Sequence, residues 1–294
     1  MNINYFKNDF LIGDSDVLIL NESDGHVANF GKQWRDHLNV QLDSHNGFNH
    51  SEKMLSEVLF NDLDYLKDKT VLEIGAGAGR FSEHIAKYAK ELVLVDLSQA
   101  IFFNVAKSSN SKKVKADFLE LIPNQKFDIV LCRGVLQHTP NPIESILKLY
   151  EFIDERGEVF FDIYSTPKIG FLHPKYLFWR PLCLKVIRYE SLETFLKKNI
   201  KSLLKFKRFV TKLLFNSSSA SYHVIPIYDY KGIIDLNESQ LEEWAILDTL
   251  DGMYAKYDKT MSHNKVLSLM KKNRIKVINA SKFNNAFQTK LEEI

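Results

Sequence analysis

The sequence predicts an α/β fold, a mostly parallel sheet with helices on both faces and a largely helical insertion. Short apolar runs alternate with segments of helical period from Lys69 to Tyr164. Glycines crowd the junction between the first apolar run and the segment that follows it. An aromatic and basic stretch of about 80 residues, 165–245, then halts the alternation, which resumes near Ser262.

Taken in order, residues 1–50 are mixed, rich in Asn, Asp and His, and carry no clear period. A helix is expected over 51–66, where Met54, Leu55, Val58, Leu59 and Leu66 share a face. Thr70–Ile74 reads as a buried parallel strand and 81–89 as a helix. Leu92–Val95 is a second strand, closed by Asp96, and Ser98 is placed to cap a helix through Ser108. Further strands are expected at 114–116, 127–132 and 159–164, with a helix over 143–153 after Pro142. A helix at 262–272 and strands at 275–280 and 283–289 complete seven strands. Residues 1–66 are then an N-terminal segment covering the site, 67–164 with 246–294 the sheet domain, and 165–245 an inserted recognition or lid region.

Composition narrows the function classes. Of 294 residues, 45% are hydrophobic and 26% charged, which supports a core and argues against wholesale disorder. Cys132 and Cys183 are too few for a disulfide framework or a structural zinc site, and no metal-ligand spacing stands out. Asp9, Asp14 and Asp16 leave no uninterrupted apolar leader, and no run approaches the roughly 20 apolar residues of a membrane span. The expectation is a cytoplasmic protein.

The chemistry lies at strand ends. Gly75, Gly77 and Gly79 follow a strand and open a helix, so a backbone without side chains can approach a ligand there. The third glycine of a dinucleotide fingerprint is replaced by Arg80, and Glu73 just upstream repels phosphate but suits a cationic ligand. Asp96 closes the second strand, where a carboxylate can accept ribose hydroxyls. Asp117-Phe118 follows the third, with an acid for an adenine amino group and a ring for its face. Arg133-Gly134-Val135-Leu136-Gln137-His138 follows the fourth, at the sheet edge where open α/β sheets bind ligands.

Glu73-x-Gly75-x-Gly77-x-Gly79, Val95-Asp96-Leu97-Ser98, Ala116-Asp117-Phe118 and Phe127-Asp128-Ile129-Val130 occur in order and at the usual spacing. Together they resemble the successive motifs of the class I methyltransferases that use S-adenosylmethionine (SAM), strongly over 69–164 and weakly over 260–290. The resemblance implies a Rossmann-like sheet of seven strands with the last antiparallel. It implies SAM as cofactor, with Gly75 and Gly77 along the methionine part, Asp96 on the ribose and Asp117-Phe118 at the adenine. Glu73, Ala76, Gly79, Leu97, Arg133 and Gly134 are further cofactor-lining candidates.

Transfer to a hydroxyl or amine gains from a base. His138, just past the fourth strand, is the first candidate, with Asp162 and Tyr164 at the end of the fifth strand behind it. Gln137 is a candidate acceptor contact. Gly31-x-Gln33-Trp34 and Tyr254-x-x-Tyr257-Asp258 resemble, more weakly, bacterial methyltransferases of sugars and surface polysaccharides. That likeness implies Gln33 and Trp34 over the cofactor, and Tyr254, Tyr257 and Asp258 at the acceptor; anchoring of the insertion is the alternative for Tyr254. The expected acceptor is a sugar, a nucleotide-sugar or a lipid-linked glycan. An RNA or protein acceptor, and a SAM-binding protein without turnover, stand as alternatives, while DNA is disfavoured because no Asp/Asn-Pro-Pro-Tyr run follows the fourth strand. In the insertion, Leu192, Leu196, Ile200, Leu203, Phe206, Val210 and Leu213 recur at helical spacing among lysines and Arg208. Its basic face is either a solvated surface or a contact for a phosphate-bearing acceptor or an anionic membrane.

Overall fold

The computed structural model describes residues 5–13, 16–106, 109–167 and 170–292, without the side chains of Trp34, Arg35, Asp36, Asn39, Phe171 and Ser219. The chain forms two compact units. The first comprises Met1–Asp36, Ser51–Thr166 and Tyr257–Ile294, and the second His37–His50 and Pro167–Lys256.

Among the described residues the first unit is built on a nine-stranded sheet: β1 (Leu11–Ile12), β2 (Leu18–Ile19), β3 (Thr70–Ile74), β4 (Glu91–Asp96), β5 (Ser111–Lys115), β6 (Phe127–Cys132), β7 (Ile153–Asp162), β8 (Ile275–Ser281) and β9 (Ala286–Leu291). Its order is β1-β2-β5-β4-β3-β6-β7-β9-β8. Pairing is parallel from β2 through β7, and β9 runs antiparallel to both β7 and β8. The seven expected strands are present, with the antiparallel strand last, and β1 and β2 extend the edge beside β5. Two-residue strands are too short to carry a period, which is why the sequence did not show them.

Both faces of the sheet are buried, and the alternation along each strand sorts residues between them. Leu72, Ile74, Val93, Val95, Val130, Cys132, Val159 and Phe161 join one core cluster. Val71, Leu92, Leu94, Ile129, Leu131 and Phe160 join the other. The chain leaves β3 for β4 and β5 on one side, then returns to β6 on the other. The order therefore reverses between β3 and β6, where their carboxyl ends open a crevice.

Several helical segments are tighter than their period suggests. The segment after Ser98 is a 3₁₀ turn, Gln99–Phe103, capped by the Ser98 hydroxyl. It stops because Asn104 turns inward and the Val105 N–H donates to the Ala78 carbonyl at 3.0 Å, joining this segment to the glycine loop. The 51–66 helix is split: His50–Leu59 is α-helical, Phe60 adopts φ 52°, and Leu63–Leu66 is a 3₁₀ turn.

The second unit is helical among its described residues. Arg180–Lys185, Tyr189–Leu213 and Glu238–Tyr254 enclose a core of Cys183, Leu196, Ile200, Leu204, Ala245, Leu250 and Met253. Val40 joins Ile234, Leu236, Leu241 and Trp244 in a smaller cluster of the same unit. On the long helix the buried stripe is Leu196, Ile200 and Leu204, whereas Phe206 and Leu213, expected on it, are exposed. Two of its basic residues are not on a solvated face. Lys207 is buried, with its ammonium hydrogen-bonded to the Ile227 carbonyl and set over the Tyr222 ring, and Arg208 grips both Asp229 oxygens at 2.8 and 2.9 Å.

Candidate active site

The glycine loop is shaped by positive φ angles of 76°, 50° and 106° at Gly75, Gly77 and Gly79. At Gly75 the absence of a side chain is also steric, since a Cβ would lie 2.0 Å from Cγ2 of Val135 in the loop after β6. The loop's donors face inward. The N–H groups of Gly75 and Ala76 donate to the Val95 carbonyl at 2.8 and 3.1 Å, Gly77 N–H to Asp96 Oδ2 at 2.8 Å, and Gly79 N–H to the Ala76 carbonyl at 3.0 Å. A pyrophosphate cradle needs such groups turned toward the ligand. This loop instead offers close backbone approach with the N–H groups of Gly75, Ala76, Gly77 and Gly79 already engaged.

Carboxylates surround the crevice. Glu73 is buried beneath the loop, accepting from the Ser82 hydroxyl at 2.6 Å. Burial pushes its carboxyl up to about 8, the Ser82 hydrogen bond opposing and the Asp96 charge assisting. Asp96 accepts from Gly77 N–H through Oδ2, and from Ser98 N–H and Oγ through Oδ1 at 2.7 and 2.6 Å. Burial raises its carboxyl while these hydrogen bonds lower it. A carboxylate offers about four acceptor positions, so these three hydrogen bonds leave Asp96 roughly one for a ligand.

The turn after β5 has the same economy. Asp117 caps Leu119 N–H at 3.0 Å, and its own N–H donates to Asn21 Oδ1 at 2.8 Å. Phe118 is buried in the core cluster under β5 and β6. The helix Ala28–Asp36 approaches the turn after Asp96: a Cβ on Gly31 would lie 3.2 Å from Ser98 Cβ. Gln33 is buried on that helix. Trp34 lies on it too, with its side chain outside the described residues. Leu97 packs 3.7 Å from the position of a Cβ on Gly25.

The loop after β6 is held by β7 and by the segment from Tyr257. Asp162 accepts from Gly134 N–H at 2.6 Å and pairs with Arg133 Nη1 at 3.1 Å, so its carboxylate fixes both residues. Burial raises the Asp162 carboxyl; Arg133, the Gly134 N–H and His138 oppose that rise. His138 is 7% exposed, with Nδ1 2.9 Å from the Tyr257 carbonyl. Its ring lies 4.7 Å from that of Phe30 and 5.7 Å from that of Tyr164. Lys259 N–H donates to the Gln137 carbonyl at 2.8 Å. Tyr257 itself packs edge-on to His26 at 5.2 Å, and Asp258 follows it in the same unit.

The structure thus brings together Glu73, the glycines, Asp96, Arg133, Gly134, His138, Asp162 and Tyr164 at the carboxyl edge. Tyr254 belongs to the second unit, where it is buried and its hydroxyl donates to the Ile187 carbonyl at 2.9 Å.

Two residues that the sequence did not single out organise the site. Buried Asn104 donates to the Gly77 carbonyl at 3.1 Å and to Ser82 Oγ at 3.2 Å, tying the loop to the hydroxyl that holds Glu73. Buried Lys115 reaches the carbonyls of Asn21 and Glu22 at 2.9 and 2.8 Å and pairs with Asp24 at 3.1 Å. Only the lysine left a signal, a charge inside an expected buried strand.

The residues fit SAM as the cofactor. Asp96 and Asp162 outnumber Arg133 around the crevice, which suits a sulfonium and disfavours a pyrophosphate. Gln137, with 0% exposure, has both amide atoms without a partner among the described residues.

A methyltransferase-domain family model matches residues 48–199. Among curated relatives, the ubiquinone biosynthesis O-methyltransferase of Coxiella burnetii is 29% identical over 102 residues, covering 33% of this chain and 44% of the relative. That of Pseudomonas paraeruginosa is 28% identical over 111 residues, covering 35% and 48%. The chain spans about half the length of the curated relatives it matches. Magnesium protoporphyrin IX methyltransferase from Synechocystis PCC 6803, solved with bound SAH, aligns with TM-score 0.48 and 12% identity over 91% of this chain and 97% of that one. With a match across more than half of its length and the strand-end motifs in place around the crevice, this chain belongs to the methyltransferase-domain family and has its class I, SAM-dependent architecture.

Proposed function

We propose that the chain transfers the methyl group of SAM to a hydroxyl of a small polar acceptor, with His138 as the base. One observation carries this reading: the 2.9 Å contact between His138 Nδ1 and the Tyr257 carbonyl. A carbonyl only accepts, so Nδ1 holds a proton and Nε2 is the nitrogen left to take the acceptor's. Phe30 and Tyr164 fix the ring plane. SAM, when bound, supplies an electrophilic methyl group on a sulfonium. Removal of the acceptor's proton turns His138 into an imidazolium, which the buried Asp162 carboxylate stabilises through its charge. Asp162, already held by Arg133 and Gly134, acts as a positioning residue.

For the acceptor we favour a sugar, a nucleotide-sugar or a lipid-linked glycan, on the Gly31-x-Gln33-Trp34 and Tyr254-x-x-Tyr257-Asp258 likeness. Gln137 is the proposed acceptor contact, because its buried amide offers both a donor and an acceptor. An aromatic hydroxyl is the second reading, carried by the relatives named for O-methyl transfer in ubiquinone biosynthesis.

The test is a screen of nucleotide-sugars, lipid-linked glycans and catechols with methyl-labelled SAM, on the native chain and His138→Asn. The expected result is a gain of one methyl in one class. The variant should lose roughly 10²–10⁴ in kcat while its calorimetric SAM affinity stays within about twofold. Retained turnover in His138→Asn would remove the base. Tight binding of NAD without SAM would remove the cofactor assignment, and SAM binding with no turnover in any class would favour a binding protein.

A further inference from the structure

The long helix Tyr189–Leu213 has three faces, and only one is used by its own unit. Leu196, Ile200 and Leu204 point into the helical core. Phe195, Phe206, Phe209 and Leu213 are 51%, 55%, 57% and 63% exposed. At about 100° per residue these four fall within roughly 60° of one another, an apolar row along about 27 Å of helix that Asn199 and Ser202 interrupt between Phe195 and Phe206. Beside it, a fraction of a turn away, Lys198, Lys205 and Lys212 are exposed at a spacing of seven residues and form a parallel row.

Beyond Glu193 the charge along this helix has one sign. Between Thr194 and Asn216 there are seven basic residues and no acidic one. Four of the seven are engaged within the unit: Lys197 with Glu193 at 2.7 Å, Lys201 near Glu242 at 4.0 Å, Lys207 with the Ile227 carbonyl and Arg208 with Asp229. Lys198, Lys205 and Lys212 are the ones set next to the phenylalanines.

We propose that this face docks on an anionic membrane surface. An interfacial helix buries a row of large apolar side chains at the boundary of headgroups and acyl chains, while flanking lysines extend to anionic headgroups. The two parallel rows match that division. A double-stranded nucleic acid would use the lysine row and leave the phenylalanine row in water, a single strand stacking its bases on the rings is an outcome of the test below, and a symmetric second copy would bring the lysine rows of both protomers together. No helix among the described residues is long and apolar enough to cross a membrane, so the contact is peripheral. The inference is independent of the acceptor and stands whether or not the substrate is lipid-linked.

Vesicle co-sedimentation of the full chain tests it, using phosphatidylcholine alone and phosphatidylcholine with phosphatidylglycerol. Binding should require the anionic lipid and weaken with salt. A juxtamembrane lysine contributes about fivefold in affinity, so replacing Lys198, Lys205 and Lys212 by Gln together should lower binding roughly a hundredfold. Phe206→Ser with Phe209→Ser should abolish detectable binding. Because all five side chains are exposed, circular dichroism and Tm should match the native chain for both variants. No vesicle binding at low salt overturns the proposal, as does equal binding to neutral vesicles that the lysine variant retains. It is also overturned by binding to RNA homopolymer but not to vesicles, or by a dimer of the native chain that the phenylalanine variant loses.

Discussion

Replacing Glu73 by Gln should stabilise the fold in a pH-dependent way. Glu73 is 3% exposed, has one hydrogen bond from Ser82 and faces the charge of Asp96, which together raise its carboxyl from 4.5 to about 8. Between those values the folded chain keeps a proton that the unfolded chain has released. Stability therefore falls as pH rises through that window, and the loss is complete above it. At pH 7 the difference of about 2.5 units corresponds to roughly 3 kcal/mol, an order-of-magnitude figure for a fully buried group. Glu73→Gln removes the ionisation and can still accept from Ser82. Its Tm should match that of the native chain near pH 4 and exceed it progressively to pH 8, by roughly 2–4 °C per kcal/mol recovered. Thermal melts of both proteins at four pH values, without SAM, measure this. A Tm difference that does not change with pH, or a variant less stable at pH 8, would refute the reasoning. Below pH 8 Glu73 keeps its proton, so calorimetric SAM binding at pH 7 should differ little between the variant and the native chain.

Gly75→Ala meets both a φ of 76° and a contact of 2.0 Å with Val135, so it should lower stability by about 1–3 kcal/mol in denaturant titration and abolish SAM binding by calorimetry. Native stability and affinity in that variant would show that the loop does not need its close approach to Val135. Tyr254→Phe removes the hydrogen bond to Ile187 and should cost about 1 kcal/mol of stability with acceptor KM unchanged, whereas a raised KM at constant stability would make Tyr254 an acceptor contact.

The strands were legible because their signals are local. Thr70–Ile74, Phe127–Cys132 and the acids that close β4 and β7 were found from apolar runs a few residues long. The second unit was less legible. Its pieces, His37–His50 and Pro167–Lys256, lie more than a hundred residues apart, and the Val40 cluster that joins them has no signature in either piece. Asn104 was invisible for the same reason, since its partners Gly77 and Ser82 are more than twenty residues away.

The sequence by itself determined the α/β class, the glycine loop and which carboxylates stand at strand ends, because strand period, turn chemistry and motif spacing are properties of neighbouring residues. Only the tertiary structure decided how those groups are engaged. It turned the loop's N–H groups toward Val95 and Asp96, gave the Asp162 carboxylate to Arg133 and Gly134, and set the tautomer of His138 through the Tyr257 carbonyl. It also decided which face of Tyr189–Leu213 is inside. Apolar residues cover more than half of that helix's circumference, so periodicity marks it as amphipathic, while burial by Leu250, Met253 and their neighbours leaves Phe195, Phe206, Phe209 and Leu213 outside.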